Sequence, residues 1–114
     1  MERIQERIKR NVEDKEMYQL IITVEFRKDL RMAVSYIKDV LKNNVAAEKL
    51  KTDTENAGDM IERFPYSHPI VLFSKIRFVS VGNYLVFYEV VKENIFILRF
   101  LHGTQNWTDI LKSQ

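Results

Sequence analysis

The chain has 114 residues, 46% of them hydrophobic and 30% charged, with a formal net charge of +2 and no cysteine. That length makes one domain able to bury about two-thirds of its unfolded surface, and the lack of cysteine excludes disulfides and thiolate metal sites and agrees with a cytoplasmic setting. No apolar run approaches the roughly 18 residues that a membrane-spanning helix needs, and the N-terminus is too charged for a signal peptide.

Residues 1 to 16, MERIQERIKRNVEDKE, set Ile4, Ile8 and Val12 four apart. The spacing predicts an amphipathic helix with one narrow apolar stripe. So thin a stripe does not hold a short helix in isolation. The helix therefore has to dock, either on its own domain or on a partner, including a second copy of the chain in a homodimer. Met17 to Val24 is β-rich and reads as the first strand. Phe26, Leu30, Ala33, Val34, Ile37, Val40 and Leu41 then recur at steps of three and four, predicting a helix over 27–42. Asn43-Asn44 ends it, with Asn44 placed to cap a second helix whose inner face is Ala46, Ala47, Leu50, Ala57, Met60, Ile61 and Phe64. Two helices joined so tightly form an antiparallel hairpin.

Phe64-Pro65-Tyr66-Ser67-His68-Pro69 is a stiff connector, because each proline holds the preceding residue out of helical geometry. Ile70 to Phe73 is either a short strand or a loop with apolar anchors. From Lys75 to Gly103 apolar and aromatic residues fall into three runs. Gly82-Asn83 suits a two-residue primed turn between the first two runs, and Lys92-Glu93-Asn94 makes the second reversal. The middle run, Tyr84 to Val91, has the composition of a central strand. Gly103 is free to take a positive φ and turn the chain out of the last strand, and Trp107, Ile110 and Leu111 suggest one closing helical turn. Strands joined by short loops pair antiparallel, so the expected fold is an α+β domain. It has an antiparallel sheet of about four strands with a helical hairpin on one face.

Charge is unevenly distributed. From residue 65 onward five basic groups (Lys75, Arg77, Lys92, Arg99 and Lys112) face three acidic ones (Glu89, Glu93 and Asp109), and both histidines lie there. Attraction to phosphates would come from this half. Lys75 and Arg77, two apart on a predicted strand, point to one face as a phosphate clamp requires; a solvated sheet face has the same pattern. His102 is the leading acid/base candidate, since imidazole titrates near neutrality; a structural histidine at a strand end fits the position equally well. Arg99 alternates with Ile95, Ile97 and Leu101, whereas His102 falls with Phe96, Leu98 and Phe100, so the two share a site only if the strand ends or bulges near Leu101. Tyr88 and His68 read as packing and turn residues. Two distant histidines make no metal site, and no cofactor is expected.

In order and spacing the chain resembles the RelE/ParE superfamily of bacterial toxins from type II toxin-antitoxin modules. The resemblance spans Met17 to Leu111. It rests on Tyr18-Gln19-Leu20-Ile21-Ile22, on Phe26 with Asp29-Leu30, on Tyr36-Ile37 and on Ala46-Ala47-Glu48. It continues through Phe64 to Pro69, Arg77, Val81 to Tyr88, and Ile97 to Gly103. It implies a growth-arresting toxin held by a cognate antitoxin, with residues 17–114 as the toxin domain and 1–16 as a helical extension, and it carries the association with plasmid stabilization. RelE-like members resemble one another as metal-independent, ribosome-dependent mRNA endoribonucleases, for which His102, Arg77 and Lys75 would be the catalytic candidates. ParE-like members poison DNA gyrase by protein contact, for which Lys75, Arg77 and Arg99 would be the contact candidates. RelE-like nucleases carry an arginine just after the middle-strand tyrosine, where this chain has Leu85. They also carry a basic residue past the last strand and a tyrosine near the C-terminus, where it has Thr104, Gln105 and Ile110. These departures favour the ParE-like reading, with RNA cleavage as the alternative and a degenerate, non-toxic binding domain as a third.

Overall fold

The strand Gln19–Ile22 (β1) stops where Thr23 turns the chain into a helix, Val24–Ser35 (α1), in a computed structural model that describes residues 18–113. The predicted N-terminal helix lies outside the described residues. Thr23 Oγ1 accepts the Phe26 N–H at 3.2 Å and lies 2.8 and 3.1 Å from the Ile97 and Leu98 carbonyls. One hydroxyl thus caps the helix and fastens its start to the sheet. Val24, expected at the end of the strand, is instead the first helical residue and is exposed.

Helix α1 runs on through a π-helical turn, Tyr36–Val40, and ends at Lys42, whose φ is +55°. Asn43 rather than Asn44 caps the second helix, Asn44–Arg63 (α2), its Oδ1 accepting the Ala46 N–H at 3.0 Å. The buried face of α2 is Ala47, Leu50, Thr54, Ala57 and Ile61. Thr54 is tolerated there because its hydroxyl donates to the Leu50 carbonyl at 2.7 Å. Met60 and Phe64, expected inside, are exposed. Met60 points off the stripe that Ile61 occupies, and Phe64 is the C-cap, with φ of −135° that takes it off the helix face.

Beyond the connector the chain forms Ile76–Val81 (β2), Tyr84–Val91 (β3) and Asn94–His102 (β4), then a short helix, Trp107–Lys112 (α3). Ile70 makes a single bridge to Arg77, and the segment up to Lys75 is loop, with Phe73 98% exposed. The sheet order is β1-β4-β3-β2, so β3 and β4 form the central pair. The meander is antiparallel throughout, but β1 joins β4 in parallel, and the sheet is mixed. No short turn links β1 to its neighbour, so hairpin geometry does not dictate its direction.

The hairpin of α1 and α2 covers one face of the sheet. Phe26, Ala33, Leu50, Ala57 and Ile61 pack there on Val86, Tyr88, Ile95, Ile97 and Phe100. The opposite face is closed by α3, with Leu111 and Trp107 over Phe87, Leu85 and Leu101. Leu85 therefore belongs to an apolar cluster. Gly103 does not adopt the expected positive φ; its N–H donates to the Asn83 carbonyl at 2.8 Å and closes the sheet end.

Both meander turns are two-residue loops in which only the first central residue has positive φ, +59° at Gly82 and +57° at Lys92. Those signs fit a type II′ turn, whose twist matches the strands. A lysine in that region carries about 1–2 kcal/mol of strain that glycine does not. Against this stands the larger unfolded-state entropy of glycine. Lys92→Gly is expected to raise unfolding free energy by about 0.5–1 kcal/mol, and Gly82→Ala to lower it by about 1 kcal/mol or more. Urea denaturation of the two variants reads both signs.

Candidate functional site

The candidate residues divide between the two ends of β3. At the connector end, Arg77 pairs across the sheet with Tyr88. Its Nη1 donates to the His68 carbonyl at 2.7 Å and to the Tyr66 carbonyl at 3.2 Å, with the guanidinium 5.2 Å from the Tyr66 ring centroid. Tyr88 is fully buried, and its hydroxyl donates to the Pro65 carbonyl at 2.7 Å. Burial pushes this phenol up to about 12, opposed by the nearby Arg77 charge. The His68 ring meets Tyr88 edge to face at 6.2 Å, and its Nε2 is buried without a hydrogen-bond partner among the described residues. Arg77 and Tyr88 thus clamp the backbone of the Pro-containing connector to the sheet. Lys75 lies in the bend before β2, exposed, so the strand carries only one of the two cations expected to share its face.

At the other end, β4 carries a bulge where Tyr88 pairs with Ile97 and Phe87 with Arg99, leaving Leu98 as the extra residue. The bulge resets the alternation. His102 now falls on the hairpin side with Phe100, facing Tyr84. Tyr84 stacks on Phe100 with centroids 4.8 Å apart and meets His102 edge to face at 5.1 Å. His102 Nδ1 accepts the Thr104 N–H at 3.2 Å and lies 2.7 Å from Thr104 Oγ1, so the neutral ring carries its proton on Nε2. Burial, with a contribution from Tyr36, raises the Tyr84 phenol above its ordinary value.

Arg99 is committed elsewhere. Its Nε and Nη2 donate to the two oxygens of Asp29 at 2.6 and 2.9 Å, and Asp29 Oδ2 also accepts the Phe100 N–H at 3.0 Å. The hydrogen bond to Asp29 raises the Arg99 guanidinium above its usual value, against the opposing effect of burial. Past Ile97, where β1 ends, the Asp29 carboxylate takes the place of a neighbouring strand for β4. The sequence pattern contains Asp29 only beside Phe26 and Leu30, without marking its role. The signal was a carboxylate between Phe26 and Ala33 on the buried side of α1, a position that calls for a buried partner.

Tyr84 and His102 border a cleft of about 240 Å³ with Asp29, Met32, Ala33, Phe100, Leu101 and Gln105. It offers an imidazole and a weakly acidic phenol. Among the described residues it has no lysine or arginine in its lining, so no permanent cation there neutralises a phosphate. Arg77 cannot supply that charge. Tyr84 and Tyr88, which pair with His102 and Arg77, are about 13 Å apart along β3, and the two partners stand on opposite sides of that strand.

A mixed four-stranded sheet with a helical hairpin on one face and a short helix on the other is a RelE/ParE-like α+β fold. The family model for the ParE toxin of the type II toxin-antitoxin system, parDE, matches residues 20–107, and the chain belongs to that family. In structure it is similar to the chromosomal ParDE TA system from P. aeruginosa, with a TM-score of 0.66 at 18% identity, over 76% of this chain and 97% of that one. No curated protein matches it. Among the described residues no helix is long and apolar enough to cross a membrane.

Proposed function

We propose that this ParE-family toxin arrests growth by binding DNA gyrase through a protein surface, and that a cognate antitoxin neutralises it. The observation that carries the proposal is the separation of the groups RNA cleavage would need. Arg77 is bound to connector carbonyls, Arg99 to Asp29, and His102 lies in a cleft with no lysine or arginine among its described lining residues. General acid–base chemistry on a phosphodiester needs those groups within reach of one phosphate. Protein contact needs no such convergence.

Purified protein should inhibit gyrase supercoiling and leave mRNA intact on translating ribosomes. His102→Ala is expected to keep growth arrest within about twofold of the parent, because a half-buried side chain at a strand end contributes little to the fold. Cleavage of ribosome-bound mRNA that disappears in His102→Ala would overturn the gyrase reading in favour of the nuclease.

A further inference from the structure

Between the connector and β2 the chain doubles back on itself. The Val71 N–H donates to the Ile76 carbonyl at 2.7 Å, the Phe78 N–H donates to the Pro69 carbonyl at 3.1 Å, and Ile70 bridges to Arg77. Ser74 locks the tip: its N–H and its hydroxyl donate to the Val71 carbonyl at 3.1 and 2.7 Å, and its Oγ accepts the Ile76 N–H at 3.0 Å. This small, fixed loop presents Leu72, Phe73 and Lys75 to solvent, with Leu72 78% and Phe73 98% exposed.

Phe73 is strained as well as exposed. Its φ is +62°, in the left-handed region that a bulky side chain rarely occupies. Lys42 and Lys92 also have positive φ, but their charged heads belong in water. The Phe73 ring gains nothing from water and belongs to neither apolar cluster. Glycine or asparagine would make the same turn without the strain or the bare ring. A strained, exposed aromatic that the described fold does not use points to a contact outside it.

We propose that Phe73, flanked by Leu72 and Lys75, is the anchor with which this toxin enters an apolar, carboxylate-rimmed pocket on its protein target. That target is gyrase on the reading above, on which this inference rests. The charge of the rim follows from the sequence around the tip. From Phe64 to Tyr88 there is no aspartate or glutamate, and Arg77 is turned to the connector carbonyls, so Lys75 sets the sign at the tip. Two apolar side chains and one exposed cation are too few to hold a lipid surface, which takes a polybasic cluster or a longer apolar face. In a protein pocket one aromatic held in place before binding is enough, because little freedom is lost when it enters.

Phe73→Asn tests the anchor without breaking the loop, since asparagine tolerates the left-handed region. In the full chain it should raise the concentration that half-inhibits gyrase supercoiling by about 30-fold or more, the loss usual for a central aromatic contact. Its urea midpoint should be no lower than the parent's. Phe73→Leu, smaller but still apolar, should lose only several-fold, and Lys75→Glu about tenfold. Undiminished potency in Phe73→Asn would overturn the anchor and leave gyrase as the target. A lowered urea midpoint would show that the ring serves the fold, and would overturn it too. If the parent itself spares gyrase, the target reading fails and the anchor is judged by growth arrest at equal soluble protein: arrest lost in Phe73→Asn supports it, arrest kept overturns it. Co-sedimentation with phosphatidylserine vesicles that needs Phe73, beside unchanged potency on gyrase, would replace the protein pocket with a lipid surface.

Discussion

Asp29→Ala is expected to lower the unfolding free energy by about 3–5 kcal/mol, read as a reduced urea midpoint with an unchanged slope. The side chains of Asp29 and Arg99 are only 13% and 20% exposed. Removing the carboxylate strands a largely desolvated guanidinium and also leaves the Phe100 N–H without its acceptor. Arg99→Ala should cost less. The carboxylate then keeps the Phe100 N–H and the remaining access to water. Arg99→Lys should not restore the parent, because an ammonium cannot reproduce the two-pronged contact to both oxygens.

The same pair bears on function. Arg99 stood in the sequence as a residue for target contact, yet its donors face inward to α1. Loss of toxicity in Arg99→Ala should therefore follow loss of folded protein. The double variant Asp29→Ala/Arg99→Ala should lose less than the two single losses added together, since neither charge is left alone. An Arg99→Ala protein as stable as the parent but without toxicity would return Arg99 to the target-binding surface.

What the sequence made legible was local. The Gly82-Asn83 turn, the two reversals and the aromatic, β-branched middle strand are encoded within a few residues of each other, and the helical hairpin follows from three-and-four periodicity. The direction of β1 was not legible, because its partner β4 begins 75 residues after it and no turn type joins them. Nor was the side of the sheet that His102 faces. Strict alternation put it opposite to where it lies, and only the bulge at Leu98 corrects the count. Arg77 shows the remaining limit. Its pattern on β2 fits a phosphate clamp, but the carbonyls of Tyr66 and His68 reach it first, 11 and 9 residues back in the chain. A cation on a strand face is a ligand site only when no backbone oxygen competes for it.

Tyr88→Phe should separate the structural from the catalytic reading of the connector, because its effect changes with pH. At neutral pH the variant is expected to lose about 1–3 kcal/mol, since the Pro65 carbonyl is left buried without a donor. The parent's advantage is confined to pH values at which Tyr88 keeps its proton in both states. An unfolded tyrosine titrates near 10, whereas burial holds Tyr88 to about 12. Between those values the native state binds the proton that the unfolded state has released, so parent stability falls as pH rises. The drop from this one group is about 2–3 kcal/mol over the interval. Tyr88→Phe lacks that term. The stability gap between parent and variant, measured by urea unfolding at pH 8, 10 and 11, should therefore narrow with rising pH. A constant gap would show that the phenol titrates in the folded protein as it does in water, and would free Tyr88 for proton transfer. A narrowing gap fixes it, with Arg77, as the lock that holds the connector against the sheet.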